Sequence, residues 1–84
     1  MKPILYFALW CPDTESFVAE LQRLNIAYEA KDIAGDRLNF KAFLKLRDTH
    51  SAFDDAKANG YIGIPALVLE NGEVILDKEA LKNV

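Results

Sequence analysis

The sequence predicts an α/β fold in which a four-stranded mixed sheet carries helices on both faces. Three observations lead there. An apolar run at residues 4–9 is followed by a helical stripe and then by a second strand signal; a stretch with helical periodicity comes next; and Asn71-Gly72 separates two short apolar runs near the C-terminus. A strand–helix–strand crossover of this length implies parallel pairing with a right-handed connection. The final two strands form a hairpin and pair antiparallel. A sheet holding both kinds of pair is mixed.

Ile4-Leu5-Tyr6-Phe7-Ala8-Leu9 is nearly continuous in apolarity, as suits a central strand covered on both faces. Pro12 fits the first turn of the next helix, because the N–H it lacks would have had no intrahelical partner there. Phe17, Val18, Leu21 and Leu24 make one helical stripe, and Asn25 is its expected stop. The second strand signal covers residues 26–33, strongest at Ile26-Ala27-Tyr28 and weaker towards Lys31 and Asp32.

Asp36 is placed to cap a helix carrying Leu38, Ala42, Phe43 and Leu46. Ser51 is placed to cap a shorter one with Asp54 at its third position, which Asn59-Gly60 ends; the alternative is one bent helix. Residues 66–70 and 73–76 read as strands flanking Asn71-Gly72, a two-residue hairpin signal that expects both residues in left-handed conformations. Asp77 then caps a last short helix containing Ala80 and Leu81. The order is βαβ, helical connector, ββα, with no repeat or linker.

The composition narrows the function classes. Of 84 residues, 51% are hydrophobic, with five Phe, three Tyr and one Trp, which is core material and excludes a disordered tail. Ten scattered basic residues against thirteen acidic ones give a net charge of -3, so no nucleic-acid interface is expected. The apolar run at residues 4–10 is too short to span a bilayer, and the start lacks the regions of a secretory signal. The expectation is a cytoplasmic protein with no membrane partner.

Cys11 is the sole cysteine, in Trp10-Cys11-Pro12-Asp13-Thr14 at a strand-to-helix junction. Free backbone N–H groups at such a junction favour a thiolate, whereas a cysteine within a core strand behaves as a small hydrophobe. One cysteine forms no internal disulfide and supplies no multi-thiolate metal site, so no metal is expected. Cys11 is therefore the candidate catalytic residue, with packing as its alternative role.

Cys11-Pro12-Asp13-Thr14 after the first strand, Gly63-Ile64-Pro65-Ala66-Leu67-Val68 before the third and Asn71-Gly72 leading to Asp77 together resemble the glutaredoxin-like proteins of the thioredoxin-fold superfamily. They are also similar to the N-terminal domain of glutathione transferases. The resemblance implies that residues 1–84 are a single glutaredoxin-like domain, with Pro65 in the cis form beside the active thiol. It implies glutathione as co-substrate, glutathionylated or thiol-containing proteins as partners, and no tightly bound cofactor. Thr14 stands where a two-cysteine glutaredoxin has its resolving thiol, which leaves monothiol glutathione-linked thiol–disulfide exchange. Leu76-Asp77-Lys78 departs from the family's glycine pair, and Cys-Pro-Asp-Thr departs from the Cys-Gly-Phe-Ser signature of iron–sulfur carriers.

In this reading Pro12 and Thr14 form the thiolate environment, and Trp10, Ile64, Pro65 and Asp77 bind substrate or glutathione. Each has a structural alternative. Thr14 has a local helix hydrogen bond, Trp10 covers the sheet edge, Ile64-Pro65 defines a strand entrance and Asp77 caps a helix. Asp13 and Glu15 bring negative charge close to Cys11, and of the cations Lys2, Lys31 and Lys45 approach only through the fold. His50 reads as a loop or partly packed residue, and Phe40, Phe43 and Phe53 as packing residues. Two further functions stay open: a binding module without catalysis, and a dimeric glutathione-dependent iron–sulfur carrier.

Overall fold

The computed structural model describes residues 2–84. The chain runs β1 (Ile4–Phe7), α1 (Thr14–Arg23), β2 (Glu29–Asp32), α2 (Arg37–Thr49), a 3₁₀ turn (Ser51–Phe53), α3 (Asp54–Ala58), β3 (Ala66–Val68), β4 (Val74–Ile75) and a C-terminal 3₁₀ helix (Lys78–Asn83). The four strands lie in the order β2-β1-β3-β4. β1 pairs parallel with β2 and antiparallel with β3, and β3 pairs antiparallel with β4. This is the mixed α/β sheet of the thioredoxin/glutaredoxin-like topology.

Strand alternation divides the core between the two faces. Tyr6, Ala8 and Ala66 face Phe43 and Phe53, which α2 and the 3₁₀ turn supply. Leu5 and Leu67 face Phe17, Leu21 and Leu81, from α1 and the C-terminal helix. Phe43 and Phe53 meet edge-to-face with ring centroids 5.7 Å apart. Cys11 and Ile64 pack on the rim of the Phe43–Phe53 side, so one half of the core supports the site.

Asn25 ends α1 as expected, and its conformation shows how. Its φ is 58°, its N–H donates to Gln22 O at 3.1 Å, and the N–H of Ile26 donates to Leu21 O at 2.9 Å. These are the two bonds of a Schellman cap with asparagine in the left-handed position. Ile26 is thereby committed to closing the helix. The second strand consequently lies not at the apolar Ile26-Ala27-Tyr28 but at Glu29–Asp32, the weaker end of its signal, where Ile4 to Phe7 pair with Glu29 to Asp32 in register.

Three other local expectations change. Pro12 precedes α1 in a turn closed by the Thr14 N–H on Cys11 O at 3.2 Å, and Asp13 is the helix N-cap. Asp36 caps α2 by accepting from Leu38 and Asn39, but the cap of the next turn is His50, not Ser51: its Nδ1 accepts from the Ala52 N–H at 3.0 Å. The hairpin has three loop residues rather than two. Leu69 O accepts from Gly72 N at 3.0 Å and Leu69 N donates to Glu73 O at 2.8 Å, a type I turn followed by left-handed Gly72 at φ 92°. Asn71 contributes through its side chain instead, whose Oδ1 accepts from Glu73 N at 2.9 Å.

Candidate functional site

The β1–α1 junction holds Cys11 through a single carbonyl. Ala8 O accepts both the N–H of Cys11 at 3.0 Å and the hydroxyl of Thr14 at 3.0 Å. Thr14 is 8% exposed, and its Oγ1 is directed at that carbonyl. Thr14 thus braces the turn carrying Cys11. Pro12 occupies the second position of the same turn, where its fixed φ is favourable.

Across the site, the Ile64–Pro65 peptide bond is cis and leads directly into β3. Cys11 is half-buried, and its Sγ donates to the carbonyl oxygen of Ile64 at 3.6 Å. The structure therefore brings Trp10, Cys11, Ile64 and Pro65 to one open cleft of about 560 Å³, together with Leu76. Trp10 is 63% exposed and stands at its edge.

Asp77 lies on the far side of Ile64 and Pro65, in a second hollow of about 340 Å³ that it shares with Asp13, Ser16 and Lys78. Its Oδ1 accepts from the Glu79 N–H at 2.9 Å, so it caps the C-terminal helix. Ile64, Pro65 and Leu76 form a partition common to both hollows. Asp77 is thus next to the thiol cleft without lining it.

The charge around the thiol is one-sided. Asp13 and Asp55 line the cleft, and among the described residues no Lys or Arg does. Lys31, which the sequence left free to approach, lies 3.6 Å from Glu29 Oε1 on β2 instead. Among the described residues no three His, Cys, Asp or Glu side chains are grouped to hold a metal ion. No described helix is long and apolar enough to cross a membrane.

Two residues that support the site, Arg47 and Gly63, were given no role of their own from the sequence. Arg47, on α2, donates from Nε to Ile62 O at 2.7 Å and from Nη2 to Tyr61 O at 2.6 Å, anchoring the segment that leads into Gly63-Ile64-Pro65. No spacing or motif links residue 47 to residue 61, so the sequence held no sign of it. Gly63 has φ +94°, and a Cβ there would lie 2.7 Å from Phe53 Cδ1. Its position directly before Ile64-Pro65 was the available signal.

A protein of Haemophilus influenzae, described as an uncharacterized protein, is 54% identical to this chain over 81 residues, covering 96% of this chain and 94% of that protein. The two belong to one family. No protein-family model matches the chain. No solved structure matches it either.

Proposed function

We propose that, in the family shared with the Haemophilus influenzae protein, this chain is a glutathione-linked thiol–disulfide oxidoreductase acting through Cys11 alone. The observation that carries the reading is the half-buried Sγ of Cys11 facing Ile64 and Pro65 in an open cleft. An incoming disulfide has access to the sulfur from that cleft. The thiolate is the attacking species in such exchange, so the proton held towards Ile64 O is released first.

In the first step Cys11 Sγ attacks the glutathione sulfur of a glutathionylated protein. A Cys11–glutathione disulfide forms, the original disulfide breaks, and the protein thiolate leaves and takes up a proton. A second glutathione, as thiolate, then attacks the glutathione sulfur of the adduct, releasing Cys11 and oxidised glutathione. One free glutathione thiol is consumed for each protein thiol released, its sulfur joining the glutathione sulfur carried over from the substrate in oxidised glutathione, so no resolving cysteine is needed, in keeping with Thr14. Trp10, Ile64 and Pro65 would border the bound disulfide. Asp77, with one oxygen on Glu79 N, keeps its other for the glutathione ammonium group, beside Lys78.

In this proposal residues 1–84 work as one glutaredoxin-like domain with no tightly bound cofactor. The cytoplasm, which maintains reduced glutathione, is the matching compartment. Incubation with oxidised glutathione followed by intact-mass measurement is expected to show one glutathione adduct, absent in Cys11→Ser. A wild-type chain that stays unmodified would sink the proposal.

The acid-lined cleft, without a Lys or Arg among the described residues, favours a second reading, a binding module without turnover. It requires partner binding that survives Cys11→Ser and no glutathione-dependent release of thiols from a glutathionylated peptide.

A further inference from the structure

A third hollow adjoins the thiol cleft on the side away from Asp77 and differs from it in character. It has a volume of about 530 Å³ and lies between α2 and the segment before Gly63, where Phe40, Leu44, Tyr61 and Ile62 line it. Trp10, Gly60, Tyr61 and Ile62 belong to both hollows, so the two form one continuous trough that starts at Cys11. The apolar end is well exposed: Tyr61 is 67% accessible, and Phe40 and Ile62 each keep over two-fifths of their surface in water. Among the described residues the one cation lining it is Arg47, whose guanidinium is taken up by the carbonyls of Tyr61 and Ile62. At the thiol end the carboxylates of Asp13 and Asp55 make no hydrogen bond or ion pair among the described residues.

Glutathione, a small thiol with two carboxylates and one ammonium group, accounts for neither end. It carries no large apolar side chain to cover the exposed end, and its net negative charge opposes that of Asp13 and Asp55. A larger thiol partner accounts for both ends. We propose that the trough docks an extended peptide segment of a protein substrate, with a basic residue beside the reacting cysteine and a large aliphatic or aromatic side chain further along, seated against Phe40, Leu44 and Tyr61. This rests on thiol–disulfide exchange at Cys11 and names the substrate class for it. The basic residue meets Asp13 and Asp55, which supply charge complementarity, while the apolar side chain covers surface now facing water. The exchange step is unchanged: Cys11 Sγ takes the glutathione sulfur, and the peptide leaves as the thiol.

The test uses four glutathionylated peptides, with Lys or Glu next to the cysteine combined with Leu or Ser three residues away. Loss of glutathione from each is followed by chromatography with excess reduced glutathione, and the rate without protein is subtracted. The Lys/Leu peptide is expected to react at least about tenfold faster than the Glu/Ser peptide, since an exposed charge contact alone gives up to about fivefold. Raising the salt to about 1 M should erase most of the Lys preference. The Asp13→Asn, Asp55→Asn double variant should lose that same preference, and Leu44→Gln should lose the Leu preference while retaining the charge preference. Equal catalysed rates for all four peptides would overturn the docking proposal and leave glutathione-linked exchange standing. Failure of every peptide and of oxidised glutathione to modify Cys11 would overturn both.

Discussion

Cys11 and Ile64, 53 positions apart in sequence, meet with the cysteine sulfur 3.6 Å from the isoleucine carbonyl oxygen. The contact joins the two segments that the fold sets at the same end of neighbouring strands β1 and β3, which pair antiparallel with Tyr6 opposite Ala66. The β1 segment continues past its end to Cys11, and the β3 segment arrives at its start through Ile64 and Pro65. The site is therefore a consequence of strand register, and it depends on how firmly each approach is held.

On the β1 side the brace is Thr14. Its buried hydroxyl shares Ala8 O with the Cys11 amide, so Thr14→Val keeps the side-chain shape but removes one of the two donors. The expected loss is about 1 kcal/mol, the usual net value of such a bond. Thr14→Ser should recover most of it. Urea denaturation of the three proteins measures this, and equal stability of wild type and Thr14→Val would show that the hydroxyl braces nothing.

On the β3 side the approach passes through Gly63. Its positive φ and the 2.7 Å spacing from a would-be Cβ to Phe53 act together, and Phe53 is fully buried and has no room to give. Gly63→Ala is expected to cost on the order of 3 kcal/mol, from overpacking added to the backbone penalty. Gly60→Ala is the control, because Gly60 also has positive φ, at +77°, but nothing lies within 4 Å of the added atom. That variant should lose only about 1 kcal/mol. Similar losses for both would remove the contact with Phe53 as a cause.

Between Gly60 and Gly63 the chain is held from α2 by Arg47, whose guanidinium positions the Tyr61–Ile62 backbone. Arg47→Ala should raise amide hydrogen exchange across residues 61–63 and slow glutathionylation of Cys11 several-fold, with about 1 kcal/mol of stability lost from these exposed charge-assisted bonds. Arg47→Lys retains a charge but not the fork that reaches two carbonyls, so it should restore part of the rate. If Arg47→Ala lowers stability yet leaves both exchange at residues 61–63 and the Cys11 rate untouched, the anchoring role is wrong.

The sheet was legible because its signals are local. The apolar run at residues 4–9, the stripe Phe17-Val18-Leu21-Leu24, the Asp36 and Asp77 caps and the residues 71–72 turn each act within a few positions of themselves. Where two local preferences competed, the reading failed: Ile26 looked like a strand residue, but the left-handed Asn25 uses its N–H to close α1. The candidate site was legible as far as Cys11, Ile64 and Pro65, because the strand-to-helix junction and the strand entrance are each marked by neighbouring residues, while their meeting was implied by the resemblance alone. Arg47, Asp55 and the apolar hollow were not, since they reach the site through α2 and α3 packing, which no spacing encodes.

His50 shows the same limit and offers a test of it. Nothing in the sequence ties it to the hairpin, yet its two ring nitrogens connect the 3₁₀ turn after α2 to the β3–β4 loop. Nδ1 accepts from the Ala52 N–H at 3.0 Å, so the neutral ring carries its proton on Nε2, which lies 2.9 Å from Gly72 O and donates to it. Neither bond is near Cys11, and the ring also stands edge-on to Phe53 with centroids 6.4 Å apart. His50→Asn keeps a short side-chain acceptor able to cap the 3₁₀ turn but gives up the reach to Gly72, and should cost about 1 kcal/mol. His50→Ala loses both bonds and should cost about 2 kcal/mol. Cys11 glutathionylation in the folded variants is expected to match wild type, because the clamp closes the end of the hairpin away from Pro65. A large drop in that rate with unchanged stability would instead assign His50 to the chemistry.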